Sequence, residues 1–173
     1  MGQVVRLEAP AAAYPASVDA LDFAETVLLG AVRGWVSDYR VGEDPIPRLC
    51  EALNAVRAHD AAFSVDQLMA VLARTARQSI AIHCSRCPHL SDDEKHLLYA
   101  ASLVHSGESA LAERALRIAL LSAAGAEFAL GPLEGLAELF SEARLLFRRR
   151  KSPASAPPSD AVWLPPEQSQ STH

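Results

Sequence analysis

Residues 17–39 read SVDALDFAETVLLGAVRGWVSDY, and within them Val18, Leu21, Ala24, Leu28, Val32, Trp35 and Tyr39 recur at intervals of three and four. That period lines seven side chains along one stripe of an α-helix, where a strand would need strict alternation. Ser17 is the N-cap this reading selects, because its hydroxyl can accept an otherwise unpaired N–H of the first turn. Gly42 and Pro45 close the segment. The rest of the chain is built from the same stock: 32 Ala and 23 Leu, against 12 Val and 4 Ile, in 173 residues. Ala and Leu lose little side-chain freedom in a helix, whereas Val and Ile suit a pleated sheet. The expected class is all-α, a single compact bundle of about six helices, and a sandwich, barrel or parallel α/β sheet is disfavoured.

Working outward, Ile46, Leu49, Leu53 and Val56 place a second helix over 46–58. Ser64 and Gln67 have capping-box spacing, with Phe63 and Leu68 as a hydrophobic staple. They open a third helix that runs through Met69, Leu72, Thr75 and Ala76 to about Ile82. Ser91 and Glu94 repeat the box and open a fourth, continuing to Val104 before Gly107 breaks it. A fifth is expected over 109–123. Gly125 and Gly131 then bracket a connector, and Pro132 in a first turn starts a sixth over 132–148, with the stripe Leu133, Leu136, Phe140, Leu146 and Phe147. The organisation this predicts is a loose N-terminal arm (1–16), a helical domain (17–150) and a Pro/Ser-rich disordered tail (151–173).

Ala100, Leu103, Gly107, Ala112, Leu116 and Ala119 resemble the small-residue, turn and packing positions of one tetratricopeptide unit. The repeat's early aromatic and closing proline are absent and no second copy follows, so the hairpin reads as a generic αα-hairpin.

The net charge is −5 and the pI about 5.6, which weighs against a protein devoted to nucleic acid. No apolar run reaches the ~18 residues a membrane span needs. The N-terminal MGQVVRLEAPAAAYP lacks the apolar core of a signal peptide, so a cytoplasmic location is expected. Three cysteines do not suit a secreted disulfide framework.

The stretch richest in chemistry is Ile82-His83-Cys84-Ser85-Arg86-Cys87-Pro88-His89. Cys84 and Cys87 have the C-x-x-C spacing that lets a tight turn aim two sulfurs at one tetrahedral zinc, and His83 and His89 are further ligand candidates. Cys50, His59 and His105 are potential fourth ligands. A redox-active or disulfide-forming pair, and plain thiols in a loop, are the other readings. A thioredoxin-type site is disfavoured, because the next helix starts only near Ser91 and Pro88 intervenes. Pro88 also occupies the position where a c-type haem motif needs His.

Other residues have quieter readings. Asp92, Asp93 and Glu94 are first-turn acids favoured by the helix dipole, and His105 is favoured as a cation at the opposite end. Arg144, Arg148, Arg149, Arg150 and Lys151 form the only basic run, read as a solvated helix terminus or a contact for nucleic acid, lipid headgroups or an acidic partner. Gly30 and Gly34 have GxxxG spacing, suited to close packing within the chain or across a homodimer. In the tail, Trp163 and Leu164 are apolar where the surroundings are Pro and Ser, which marks them as a docking segment for a partner or for the chain's own domain. No nucleotide-binding loop, nucleophile elbow or H-E-x-x-H motif is present, which weighs against an enzyme. Two functions lead, an adaptor acting by protein–protein contacts, with or without a zinc-clipped cysteine loop, and a thiol- or metal-responsive regulator using Cys84 and Cys87; a small helical enzyme is the least favoured third.

Overall fold

The computed structural model describes residues 11–153. Among these it is all-α: a single 3-10 turn, Val18–Ala20, precedes α1 (Phe23–Val41), α2 (Ile46–Asn54), α3 (Ala61–Thr75), α4 (Asp92–His105), α5 (Ser109–Ala119) and α6 (Ala123–Glu142). There is no strand among the described residues, only isolated bridges. No helix among them is long and apolar enough to cross a membrane.

Helix boundaries follow local hydrogen bonding. Ser17 caps the 3-10 turn rather than α1. The start of α1 belongs to Asp22, whose carboxylate accepts the Glu25 N–H while the Glu25 side chain accepts the Asp22 N–H. Gly42 ends α1 at φ 76°, a left-handed conformation that glycine adopts without strain. The second helix stops at Asn54, short of the expected 58, where the backbone turns through Arg57 at φ 62°.

The third helix differs most from its expectation. It begins at Ala61, so Ser64 lies inside it rather than capping it, and Phe63 is 52% exposed instead of forming a staple. It ends at Thr75 because Ala76 turns to ψ 134° and the chain pairs sideways: the Arg77 N–H donates to the Leu120 carbonyl and the Ser122 N–H to the Thr75 carbonyl. Ile80, Ala81 and Ile82 are therefore buried in an extended connector, not in a helix. The Ser91–Glu94 box at the head of α4 is formed as expected.

The sixth helix begins nine residues before Pro132. Ser122 caps it by accepting the Gly125 N–H, and Pro132 sits inside the helix. It then stops at Glu142, so Leu146 and Phe147 are on a non-helical segment. There Leu146 is exposed, whereas Phe147 stacks on Phe140.

The core is one apolar cluster centred on Leu28, Leu53, Leu68, Met69, Leu97, Leu116 and Phe140. Helices α3 and α6 pack antiparallel, since Gly125 meets Thr75 and Gly135 meets Ser64. A Cβ at Gly125 would collide with the Thr75 side chain, and one at Gly135 would stand 3.0 Å from the Ser64 hydroxyl. Gly30 and Gly34 do not pack closely within the chain: a Cβ at either would meet nothing within 4 Å.

Candidate functional site

The Cys84–Cys87 segment folds as a turn closed by the Cys87 N–H donating to the Cys84 carbonyl at 3.0 Å. It projects from the connector between α3 and α4. Cys84 is exposed, Cys87 is half-buried, and neither is bridged; Cys50, also unbridged, lies apart on α2.

What fixes the turn lies beneath it. Arg33 on α1 and Glu94 on α4 are 3% and 1% exposed and form a two-point ion pair, Nε to Oε1 at 2.8 Å and Nη2 to Oε2 at 2.9 Å. The same guanidinium donates to the Cys87 carbonyl and to the His89 carbonyl, each at 2.7 Å. The Glu94 carboxylate accepts the His83 N–H at 3.0 Å and the Ser91 N–H at 2.9 Å. A charge taken out of water is tolerable only when its hydrogen-bonding capacity is met, and here both ions achieve that through the backbone of this loop. The loop is tied on its other side as well: the Val18 N–H donates to the Pro88 carbonyl and the Leu90 N–H to the Ala16 carbonyl.

His83 donates from Nδ1 to the His89 carbonyl at 2.9 Å, which leaves only Nε2 without this bond. His89 and Arg86 are exposed beside Cys84. The four residues selected as zinc ligands, His83, Cys84, Cys87 and His89, are thus neighbours on one loop. Among the described residues, however, no group of three or more His, Cys, Asp or Glu side chains is arranged to share a metal ion. The loop offers two sulfurs at one turn.

The first-turn acids of α4 are each engaged. Asp92 pairs with Lys95, and Asp93 accepts the Ala81 N–H at 2.7 Å. Burial pushes the Asp93 carboxyl above its ordinary value, partly offset by that hydrogen bond. At the other end of α4, burial lowers the His105 pKa, partly opposed by the Ala137 backbone, and the ring lies edge-on to Phe147.

The basic run is not a solvated helix end. Arg150 is buried in an ion pair with Glu25 and stands over the Tyr14 ring, Arg149 pairs with Glu108, and the Arg148 N–H donates to Asp22. The Glu25 hydrogen bond raises the Arg150 pKa, and burial raises that of Tyr14. The Lys151 N–H donates to the Ala12 carbonyl, so residues 11–16 and 145–151 close against each other.

A second surface feature was not anticipated from the sequence. Between α3 and α6 runs an open groove of about 570 Å³, lined by Gln67, Val71, Arg74, Phe128 and Pro132 among others. Phe128 on its wall is 65% exposed. Among the described residues, Arg74 is the groove's only charged lining residue. The period-3.6 reading assigns such residues to an outer face but cannot pair two outer faces; an exposed Phe beside a helical Pro was the available signal. Trp163 and Leu164 lie outside the described residues.

The chain matches no known protein-family model, no curated protein and no solved structure.

Proposed function

We propose that this protein is a helical interaction module whose recognition surface is the α3–α6 groove, and that the groove receives the DAVWL segment at 160–164, from the same chain or from a second copy. The observation that carries this reading is Phe128, left 65% exposed on the wall of an apolar groove. Exposed apolar patches of this kind mark interaction surfaces, and buried Trp side chains are frequent anchors in them. Charge supports the same occupant. Arg74 makes no ion pair among the described residues, and Asp160 precedes the Trp163–Leu164 pair by three residues. An adaptor function follows if a partner's acidic–aromatic segment displaces the resident one.

Methyl NMR of the full chain tests this. Trp163→Ala should shift the Val71 and Thr75 methyl signals, and a peptide spanning 154–173 should bind that variant and restore them. Val71→Asp should abolish peptide binding. Concentration-independent signals in the unsubstituted chain would place the segment in cis, and concentration-dependent ones in a second copy. Methyl signals that ignore both Trp163→Ala and the peptide would overturn the proposal.

A further inference from the structure

We infer that Cys84 and Cys87 form a dithiol site that reacts with small disulfides and closes to an intramolecular Cys84–Cys87 bond. The inference is independent of the groove. A hydrogen-bonded four-residue turn holds its end Cα atoms within about 7 Å, which overlaps the roughly 4.4–6.8 Å that a disulfide spans. The turn here is closed by the Cys87 N–H on the Cys84 carbonyl. Its two flanks are pinned to one buried ion pair: the His83 N–H on Glu94, and the Cys87 and His89 carbonyls on Arg33. The base of the turn is therefore held at bridging separation before any reaction occurs.

Exposure divides the labour. Cys84 faces solvent and is the thiol that an incoming disulfide can reach, while Cys87 is half-buried behind it. The Cys84 thiolate attacks one sulfur of the small disulfide, forming a mixed disulfide and expelling one thiolate. The Cys87 thiolate then attacks Sγ of Cys84, forming the Cys84–Cys87 bond and expelling the second thiolate. The two protons from the cysteines end on the two released thiols, and two electrons pass from the chain to the small disulfide. Arg33 and Glu94 are positioning residues in this scheme, and Cys50, on a separate helix, is an internal control.

The test is equilibration of the reduced full chain with mixtures of reduced and oxidised glutathione, an acid quench, alkylation of the remaining thiols and mass mapping. The expected product lacks two hydrogens, keeps one alkylatable thiol at Cys50, and carries its bond within the 84–87 peptide. The closure constant should be at least about tenfold larger in buffer than in concentrated urea, where the clamp is absent. Cys87→Ser should accumulate the mixed disulfide at Cys84, and Arg33→Lys should lower the closure constant while Cys84 is still captured. A wild-type product that stops at the Cys84 mixed disulfide, or a closure constant no larger in buffer than in urea, would overturn the inference.

Discussion

Helix α1 carries three buried charges; Asp38 pairs with nearby Arg48, whereas Glu25 and Arg33, of opposite sign, each find a partner far away in the sequence. The two pairs share a design. In both, the glutamate is also the third residue of a capping box, Glu25 in α1 and Glu94 in α4, so one carboxylate serves a helix end and an arginine together. They differ in what brings the arginine. Arg33 stands on a helix and makes four hydrogen bonds, two to Glu94 and one to each of two loop carbonyls. Arg150 sits on a non-helical segment after α6, and its further contacts are the Tyr14 ring and a long 3.5 Å approach to the Ala20 carbonyl. The first pair fixes an internal loop that carries chemistry. The second clasps the two ends of the described chain.

The largest expected effect separates the two. Arg33→Met leaves Glu94 charged and unpaired in the interior and should cost about 3–5 kcal/mol in urea unfolding. Adding Glu94→Gln should recover much of that, because the amide keeps a cap acceptor and no bare charge remains. Arg150→Met should cost less, about 2 kcal/mol, since the clasp segment can lift and let water reach Glu25. Equal costs for the two arginines would remove the distinction between a loop clamp and an end clasp.

A glycine pair sharpens the same contrast between packed and open faces of the bundle. Gly125→Ala forces Cβ into Thr75 and should destabilise by about 1–3 kcal/mol. Gly30→Ala meets open space in mid-helix and should stabilise by about 0.5–1 kcal/mol. Effects of the same sign would mean that α3 and α6 do not approach as closely as their glycines imply.

The smallest effect is on pH. His105 titrates below its ordinary value of 6.5 because burial disfavours its cation. As pH falls through 6.5 the unfolded chain takes up a proton that the folded one refuses, so stability declines until the folded pKa is passed. Asp93 has the opposite sign in a lower window: its raised pKa means that stability falls as pH rises from 3.8 to the folded value. Urea melts at a series of pH values should show the His105 slope vanish in His105→Gln. A slope that survives would assign the acid sensitivity elsewhere.

How far the sequence foretold this molecule depends on the range of the interaction. The all-α class, the Ala24, Leu28, Val32 and Trp35 part of the α1 stripe and the Ser91–Glu94 box rest on contacts three or four residues apart, and they stand, whereas Val18 and Leu21 precede α1 and Tyr39 is exposed. The expected end of α3 and start of α6 do not stand, because they are set by a sideways pairing of Thr75 and Arg77 with Leu120 and Ser122, more than forty residues away. Pro132 suits a helix start, because proline lacks the N–H a helix interior uses, yet it lies inside α6. Its would-be acceptor is the carbonyl of Phe128, and that residue faces solvent, where water can satisfy the oxygen. At the candidate site the cysteine pair was legible, and its support was not: Arg33 sits beside an apolar stripe, and nothing local says that it reaches residues 87 to 94.

The clamp beneath that turn is the centre of this account, and amide hydrogen exchange at His83 and Cys87 tests it most directly. Both N–H groups should exchange slowly in the native chain, since one donates to Glu94 and the other closes the turn that Arg33 holds. In the folded Arg33→Met/Glu94→Gln variant, exchange at both should quicken by about tenfold or more while amides in the middle of α3 keep their protection. Unchanged exchange at His83 and Cys87 in that variant would contradict the account, since the turn would then hold itself without the buried pair.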